Sequence, residues 1–399
     1  MNEDVESVEH ACPVCGAKKL SVFFQLSDVP VHCNVLWRSR ESAINCPKGD
    51  IFLAFCPVCT YIMNLAFEPN RLEYTPAYEN SLHFSSFFQN YARSLAKRLI
   101  KRYNLYGKDI IEIGCGKGYF LKLLCQLGKN NGVGFDPAYP EETDDALYGQ
   151  VKFIKDFYSE RYANYKGDLI VCRQTLEHIH DPKGFLKMLR HAIGNNENTQ
   201  VFFEVPNALK TFQKLFIWDI IYEHCSYFTP TSLSQTFSSA GFHVREITEE
   251  FGGQYLCIYA EPANSSNLDY PKELSSEVDW VSLEIATFTE KFKNKVKKWR
   301  EKLDMLVGNG QRVVVWGAGS KGVTFLNTFN DYQHNIEYAV DVNPLKQGMY
   351  IPGTGQKIVS PEFLKEYHPD VVIVMNPVYR REIRNFINRL GQPCKLMSA

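Results

Sequence analysis

The 399-residue sequence lacks any apolar run long enough for a bilayer. Its longest are strand-like pieces such as Val313-Val314-Val315-Trp316, against the roughly 18 or more residues that a membrane span needs. It also lacks a surplus of either charge. With 44 basic and 45 acidic side chains the formal net charge is -1, so no global field draws the chain to nucleic acid or to an anionic membrane. There is no internal repeat and no low-complexity tract. Met1 to His10 carries four acidic residues and neither the basic start nor the apolar core of a secretory signal, and the expected compartment is the cytoplasm.

What is present is an ordinary folding composition, 45% hydrophobic and 22% charged, in a chain whose length predicts two or three compact units. The pattern divides it into a cysteine-bearing module over 1–75, an alternating strand and helix domain over 76–262, a linker and long helix over 263–308, and a second βα pattern over 309–399. Apolar side chains at helical spacing (Phe87, Tyr91, Leu95, Leu99) predict a helix over about 84–104 leading into a strand at Asp109–Ile113. Further strands are expected at Leu20–Phe24, Ile51–Phe55, Gly132–Phe135, Leu169–Cys172, Val201–Val205 and Tyr255–Tyr259. This alternation predicts an α/β, doubly wound, mainly parallel central sheet. Pro262 to Leu274 reads as a linker. Val278 to Leu306 reads as a helix whose lysines (Lys291, Lys293, Lys295, Lys297, Lys298) form a solvated face rather than a nucleic-acid patch.

Eight of the twelve cysteines are scattered. The other four form two near-identical knuckles, Cys12-Pro13-Val14-Cys15 and Cys56-Pro57-Val58-Cys59, separated by the 40 residues 16–55. Two such turns complete the four-sulfur shell that structural zinc prefers, with no open position for catalysis. A thioredoxin-like dithiol would instead need one motif opening a helix in a βαβ setting. Cys33 and Cys46 are read as buried thiols.

Ile110-Ile111-Glu112-Ile113-Gly114-Cys115-Gly116-Lys117-Gly118-Tyr119 is strand, glycine turn, helix. Alternating glycines after a strand-end carboxylate let the backbone turn sharply and approach a ligand. The spacing G-x-G-x-G differs from the G-x-G-x-x-G of pyrophosphate binders. It resembles the first motif of class I S-adenosylmethionine-dependent methyltransferases. Asp136 ends the next strand, 24 residues beyond Glu112, where that family places the carboxylate for the ribose hydroxyls. Asp156 matches its adenine-facing acidic position. The stretch Asp168 to Ile179, with Gln174, resembles the strand and loop that close its cofactor pocket. The resemblance implies that Glu112, Gly114, Gly116, Gly118, Asp136, Asp156 and Gln174 hold S-adenosylmethionine.

On the acceptor side, Asn207 follows the strand Val201–Val205, and an aromatic-rich run carries Tyr222-Glu223-His224. With the cysteine module and the closing α/β domain, the chain resembles over nearly its whole length the zinc-containing sugar C-methyltransferases of deoxysugar biosynthesis, which act on nucleotide-linked 4-keto-6-deoxy sugars. Methylation at a carbon beside a ketone needs a base to form the enolate. Histidine titrates near the working pH, and His224 is the expected base, with Glu223 orienting it or binding the sugar. The family's usual run has a tyrosine two residues before the glutamate. Here that position is Ile221, so the tyrosine role is expected of Tyr222 or of Tyr78. His178 and His180 are expected to line the pocket wall rather than to ligate metal, and Gly252-Gly253 to pack as a turn.

Arg312–Trp316 followed by Gly317-Ala318-Gly319-Ser320-Lys321-Gly322 is a G-x-G-x-x-G after a strand. Alone it indicates a dinucleotide; the resemblance implies a Rossmann-like unit enclosing the nucleotide-sugar, with Gly317, Gly319 and Lys321 near its anionic part. The expectation is a small-molecule enzyme, without nucleic-acid or membrane partners and with a monomer plausible, that methylates carbon. The alternatives are methylation of oxygen or nitrogen, and a non-catalytic zinc and nucleotide binder.

Overall fold

The computed structural model describes residues 6–140, 150–264 and 275–399. Met1–Val5 and most of the expected linker, residues 265–274, lie outside them. The first sheet is antiparallel: β1 (Glu6–Glu9), β2 (Lys19–Pro30), β3 (Lys48–Phe55) and β4 (Ile62–Asn64) pair in sequence order. Strands β2 and β3 extend past the apolar runs that foretell them, because exposed polar residues continue the ladder through two register shifts.

The central sheet contains β5 (Asp109–Ile113), β6 (Asn131–Phe135), β7 (Val151–Ile154), β8 (Leu169–Arg173) and β9 (Gln200–Pro206), all parallel. Then β10 (Ser226–Tyr227) leaves this sheet and pairs antiparallel with β4 of the first one. The chain returns in β11 (Phe242–Glu250) and β12 (Tyr255–Pro262), giving the order β11-β12-β9-β8-β5-β6-β7, with β12 antiparallel to both neighbours. The order reverses between β5 and β8, where doubly wound sheets bind ligands at the carboxyl ends of their strands. The last sheet is wholly parallel: β13 (Val313–Trp316), β14 (Tyr338–Val340), β15 (Lys357–Val359), β16 (Val371–Val374) and β17 (Lys395–Ser398) in the order β15-β14-β13-β16-β17. β13 and β16 are buried along their whole length, as continuous β-branched runs in a parallel sheet require.

One apolar core joins these units. Phe23, Phe24 and Leu53 of the first sheet meet Phe212 and Trp218 of the central unit, and Val313 and Phe325 of the last. Running through them is the helix Ser275–Gly308, whose Phe288 has no exposed surface and packs edge-on against Phe23, Phe24 and Phe212. The helix is thus a spine with one buried face rather than a tether. Lys293, Lys297 and Lys298 are solvated as expected. Lys295 is not: its ammonium donates to the Leu215 carbonyl at 2.8 Å above the Trp218 ring, and burial pulls its pKa down to about 8. Among the described residues no helix is long and apolar enough to cross a membrane.

The last unit also grips the central one through a helix terminus. The helix Ser86–Tyr103 begins with orphan amides, and the Glu382 carboxylate accepts from Ser86 N at 2.8 Å, from Phe87 N at 3.3 Å, and from the hydroxyls of Ser85 and Ser86 at 2.6 Å. Glu382→Ala is expected to lower stability by about 1–2 kcal/mol, read as a lower urea midpoint; a midpoint equal to the parent's would contradict this.

Candidate functional site

Strand β5 delivers Glu112 and the glycine turn to the reversal point of the sheet. Gly114, Gly116 and Gly118 have φ of 69°, 55° and 75°, a region open at low strain mainly to glycine. A Cβ on Gly114 would lie 2.0 Å from Thr175 Oγ1, so this turn packs on the loop after β8; one on Gly116 would meet nothing within 4 Å, leaving a backbone-lined space. Glu112 is 3% exposed, its Oε2 has no hydrogen-bond partner among the described residues, and burial pushes its pKa up to about 8. Asp136, ending β6, accepts from Gly116 N at 2.8 Å and Ala138 N at 2.7 Å. Burial raises it and these amides lower it, with a net upward shift. An open glycine cradle, a strand-end carboxylate fixed on the turn and an unpartnered buried carboxyl oxygen fit an adenosyl group. The Asp156 carboxylate is taken within its own loop by Arg161 and, at 2.6 Å, by the Tyr162 hydroxyl.

The last unit repeats the device. Asp341, after β14, accepts from Ala318 N and Asn343 N, both at 2.8 Å, and so fixes the Gly317–Gly322 turn. A Cβ on Gly322 would fall 1.9 Å from the Gly317 carbonyl oxygen, which is why the third glycine is needed. Lys321 pairs with Asp219 of the central unit. Lys346, nearly buried, donates to Asn34 Oδ1 at 3.0 Å and to the Ala318 carbonyl at 3.2 Å.

Between the three units lies a cleft of about 1370 Å³. Of the expected residues, Tyr78, Gln174, Asn207, His224, Gly317, Gly319 and Lys321 line it; Glu112, Gly114, Gly116, Gly118, Asp136 and Asp156 do not. The two regions meet at the loop after β8, which packs on Gly114 through Thr175 and lines the cleft through Gln174, Glu177 and His178. Asn207 caps the helix Ala208–Gln213, and its amide also donates to Glu249 at 3.2 Å and the Gly253 carbonyl at 3.1 Å, so it braces the glycine turn expected there. Gln254 and Asn376 exchange amide hydrogen bonds of 3.0 Å across the cleft.

His224 lies at the cleft wall, its ring 5.1 Å from that of His178. Burial, then the neighbouring His178, lowers it to about 3. Glu223 has no exposed surface and does not reach the cleft; its Oε2 accepts from Cys33 N at 2.9 Å, and its Oε1 lies 3.6 Å from His32 Nδ1. Burial raises its pKa, but His32, His178 and the Cys33 amide together hold it below the ordinary carboxylate value. Tyr222 is a correction. Its neighbour Ile221 lines the cleft, whereas the Tyr222 ring turns the other way, against Gly49 and Phe67, with its hydroxyl accepting from Glu68 N at 2.9 Å. Tyr78 is left as the cleft-lining tyrosine of that pair. Tyr74, His32 and Glu177 are not among the expected site residues, each a lone polar residue until the three units close, when the Tyr74 hydroxyl comes to hydrogen-bond His178 Nδ1 at 3.0 Å.

The cysteine knuckles converge. All four sulfurs lie within 4.8 Å of one another, with Cys12 and Cys59 3.6 Å apart and Cys15 and Cys56 3.5 Å apart. A tetrahedral zinc with bonds of about 2.3 Å has sulfur–sulfur edges of about 3.8 Å, so the quartet fits that shell. Hydrogen bonds from Cys12 and Cys59 pull Cys56 down to about 2, while Cys12 and Cys59 are pushed up. A second thiolate would need a cation.

Comparison with known proteins matches a methyltransferase domain family to residues 85–247 and a C-methyltransferase C-terminal domain family to residues 252–392. C-methyltransferase NovU of Streptomyces niveus is 26% identical over 309 residues, 73% of this chain and 72% of the relative. A ubiquinone biosynthesis O-methyltransferase of Escherichia coli O127:H6 is 27% identical over 109 residues, 26% of this chain and 45% of that one, so this chain spans under half of its length. Among solved structures, magnesium protoporphyrin IX methyltransferase (ChlM) from Synechocystis PCC 6803 with bound SAH superposes with a TM-score of 0.35 at 16% identity, over 44% of this chain and 84% of that one.

Buried neutral imidazoles carry a pH signature. His224, and His83, which burial lowers to about 4, bind protons less readily folded than unfolded. The stability they contribute is present above the ordinary value of 6.5 and is lost as pH falls toward 4 and then 3. Glu112 has the opposite sign, its contribution fading as pH rises from 4.5 to about 8. His224→Gln is expected to lose less urea resistance than the parent between about pH 7 and pH 5. Equal losses in the two proteins would contradict the assignment.

Proposed function

We propose that this chain, which belongs to the class I S-adenosylmethionine-dependent methyltransferases and resembles the sugar C-methyltransferases, transfers its methyl group to a carbon of a nucleotide-linked 4-keto-6-deoxy sugar through a base-generated enolate. The observation that carries this reading is the imidazole of His224, beside that of His178, at the wall of a cleft shared by the methyltransferase unit and a second glycine-turn unit. Bound S-adenosylmethionine supplies an electrophilic methyl group. Gly114, Gly116, Gly118 and Asp136 would hold it, with Glu112 beneath the turn and Gln174 on the adjoining loop. His224 takes the proton next to the ketone; burial leaves its lone pair free but, against the expectation of a histidine titrating near the working pH, makes it a weaker base than a free imidazole. Tyr78 would hold the enolate oxygen by donating a hydrogen bond, since burial keeps its phenol protonated. Glu223 orients His32 and the Cys33 backbone behind Tyr78, a supporting task. The start of the helix Ser320–Thr328, with Lys321 nearby, suits the anionic part of the substrate.

The relative that methylates oxygen favours a second reading, in which the same base acts on a hydroxyl. The two differ in one exchange reaction. Wild-type protein in deuterated water, with acceptor and no methyl donor, is expected to exchange the α-proton of the ketone, and His224→Ala to lower carbon methylation about 10²- to 10⁴-fold by mass spectrometry of the product. Retained turnover in His224→Ala, or no exchange by the wild type, would sink the carbon reading.

We also assign zinc to Cys12, Cys15, Cys56 and Cys59, as a brace for a module with a thin core of its own. Cys12→Ser is expected to lose most of the stoichiometric zinc seen by elemental analysis of the parent and to unfold at lower temperature. A full complement of metal in the variant would count against the assignment.

A further inference from the structure

Glu177 sits on the short turn Leu176–His178 after β8, 1% exposed, and both of its carboxyl oxygens are without a hydrogen-bond partner among the described residues. It borders the same cleft, and one of its oxygens, a His178 nitrogen and a His224 nitrogen all lie within 4.8 Å of one another. A bare carboxylate cannot persist there without compensation, which leaves a cation or a proton. The donor types would suit a divalent metal, but His178 is already engaged, its Nδ1 3.0 Å from the Tyr74 hydroxyl and its ring hydrogen-bonded to the Glu223 backbone. The groups facing Glu177 are Cys172 and Glu204 from the strands, Tyr74 from the amino-terminal unit, His178 on its own turn, and His224 and Cys225 opposite. None is a fixed cation. Burial accordingly raises its pKa to about 8.

We infer that Glu177 is a further proton-carrying residue of this site: a carboxylic acid beside His224 that gives up its proton when His224 accepts one from the acceptor. The inference rests on the enolate reading above. The α-proton moves to His224 and its bonding pair stays on carbon. The new imidazolium makes the adjacent carboxyl more acidic, its proton passes to water in the cleft, and a Glu177 carboxylate then balances the His224 cation. The carbon pair forms the bond to the methyl carbon while sulfur keeps the pair of the broken carbon–sulfur bond. The imidazolium proton finally returns to Glu177, so one turnover releases one proton and restores both residues.

The test is Glu177→Gln, which keeps the shape but cannot ionise, in the full chain. The wild type is expected to show the infrared carbonyl band of protonated carboxylic acids at neutral pH, and the variant to lose the share of it that Glu177 contributes while keeping that of Glu112. The variant is also expected to have kcat lower by about 10²-fold with KM little changed, and to lose one ionisation from the pH profile of kcat, which Glu177→Asp restores in part. An unchanged rate and profile in Glu177→Gln, with the wild type still exchanging its acceptor's α-proton, overturns the inference and leaves the enolate reading intact. No exchange by the wild type removes that reading and the inference with it. Activity abolished by a chelator that spares the cysteine-bound metal, and regained with Co²⁺ or Mg²⁺, overturns the inference in favour of a cation at Glu177.

Discussion

A carboxylate with no exposed surface organises the junction of the three units. Desolvating such a charge costs several kcal/mol unless partners replace the water, and Glu223 draws its own from the amino-terminal unit, a hydrogen bond from the Cys33 amide and the His32 ring 3.6 Å from its other oxygen. The same segment places Ile221 and His224 at the cleft and Tyr222 and Glu223 away from it. Satisfying the buried acid therefore fixes the register that presents the imidazole. The aromatic packing of Tyr74, Tyr78, His32 and His178 around it excludes water from one side of the site.

Two α/β units solve the same local problem alike. In each, a strand-end aspartate accepts one amide from a glycine turn and another from two residues further along its own chain: Asp136 with Gly116 and Ala138, Asp341 with Ala318 and Asn343. This fixes the backbone of each glycine turn in advance. What differs is the third glycine. Gly322 closes onto Gly317 backbone, whereas Gly118 clears the Phe153 ring, so the turns present different surfaces from nearly the same carboxylate geometry.

Much of the fold is legible locally. Asp109–Ile113 and its glycine turn declare themselves through a buried apolar run and positive-φ residues, and the helix over Ser86–Tyr103 through its 3.6-residue spacing. Strands such as β11, with alternating exposed charges, and the three-residue β15 leave too little apolar signal to read. The site divides the same way. The glycines, strand-end carboxylates and cysteine knuckles are chemical motifs in sequence. The facing of Tyr222 and the meeting of Tyr74 with His178 depend on contacts between distant segments, which no local pattern encodes, and the diversion of Asp156 to Arg161 on the folding of its own loop.

The two-residue strand β10 has a consequence for the order of assembly. It forms the outer edge of a sheet whose other strands end at Asn64, so the amino-terminal unit lacks its last strand until residue 227 has been synthesised. During translation β4 must wait as an open edge, the kind of surface that pairs with stray chains. A cut between this unit and the next would leave that edge bare in every copy, and the two are best regarded as one folding unit made from separated stretches of chain.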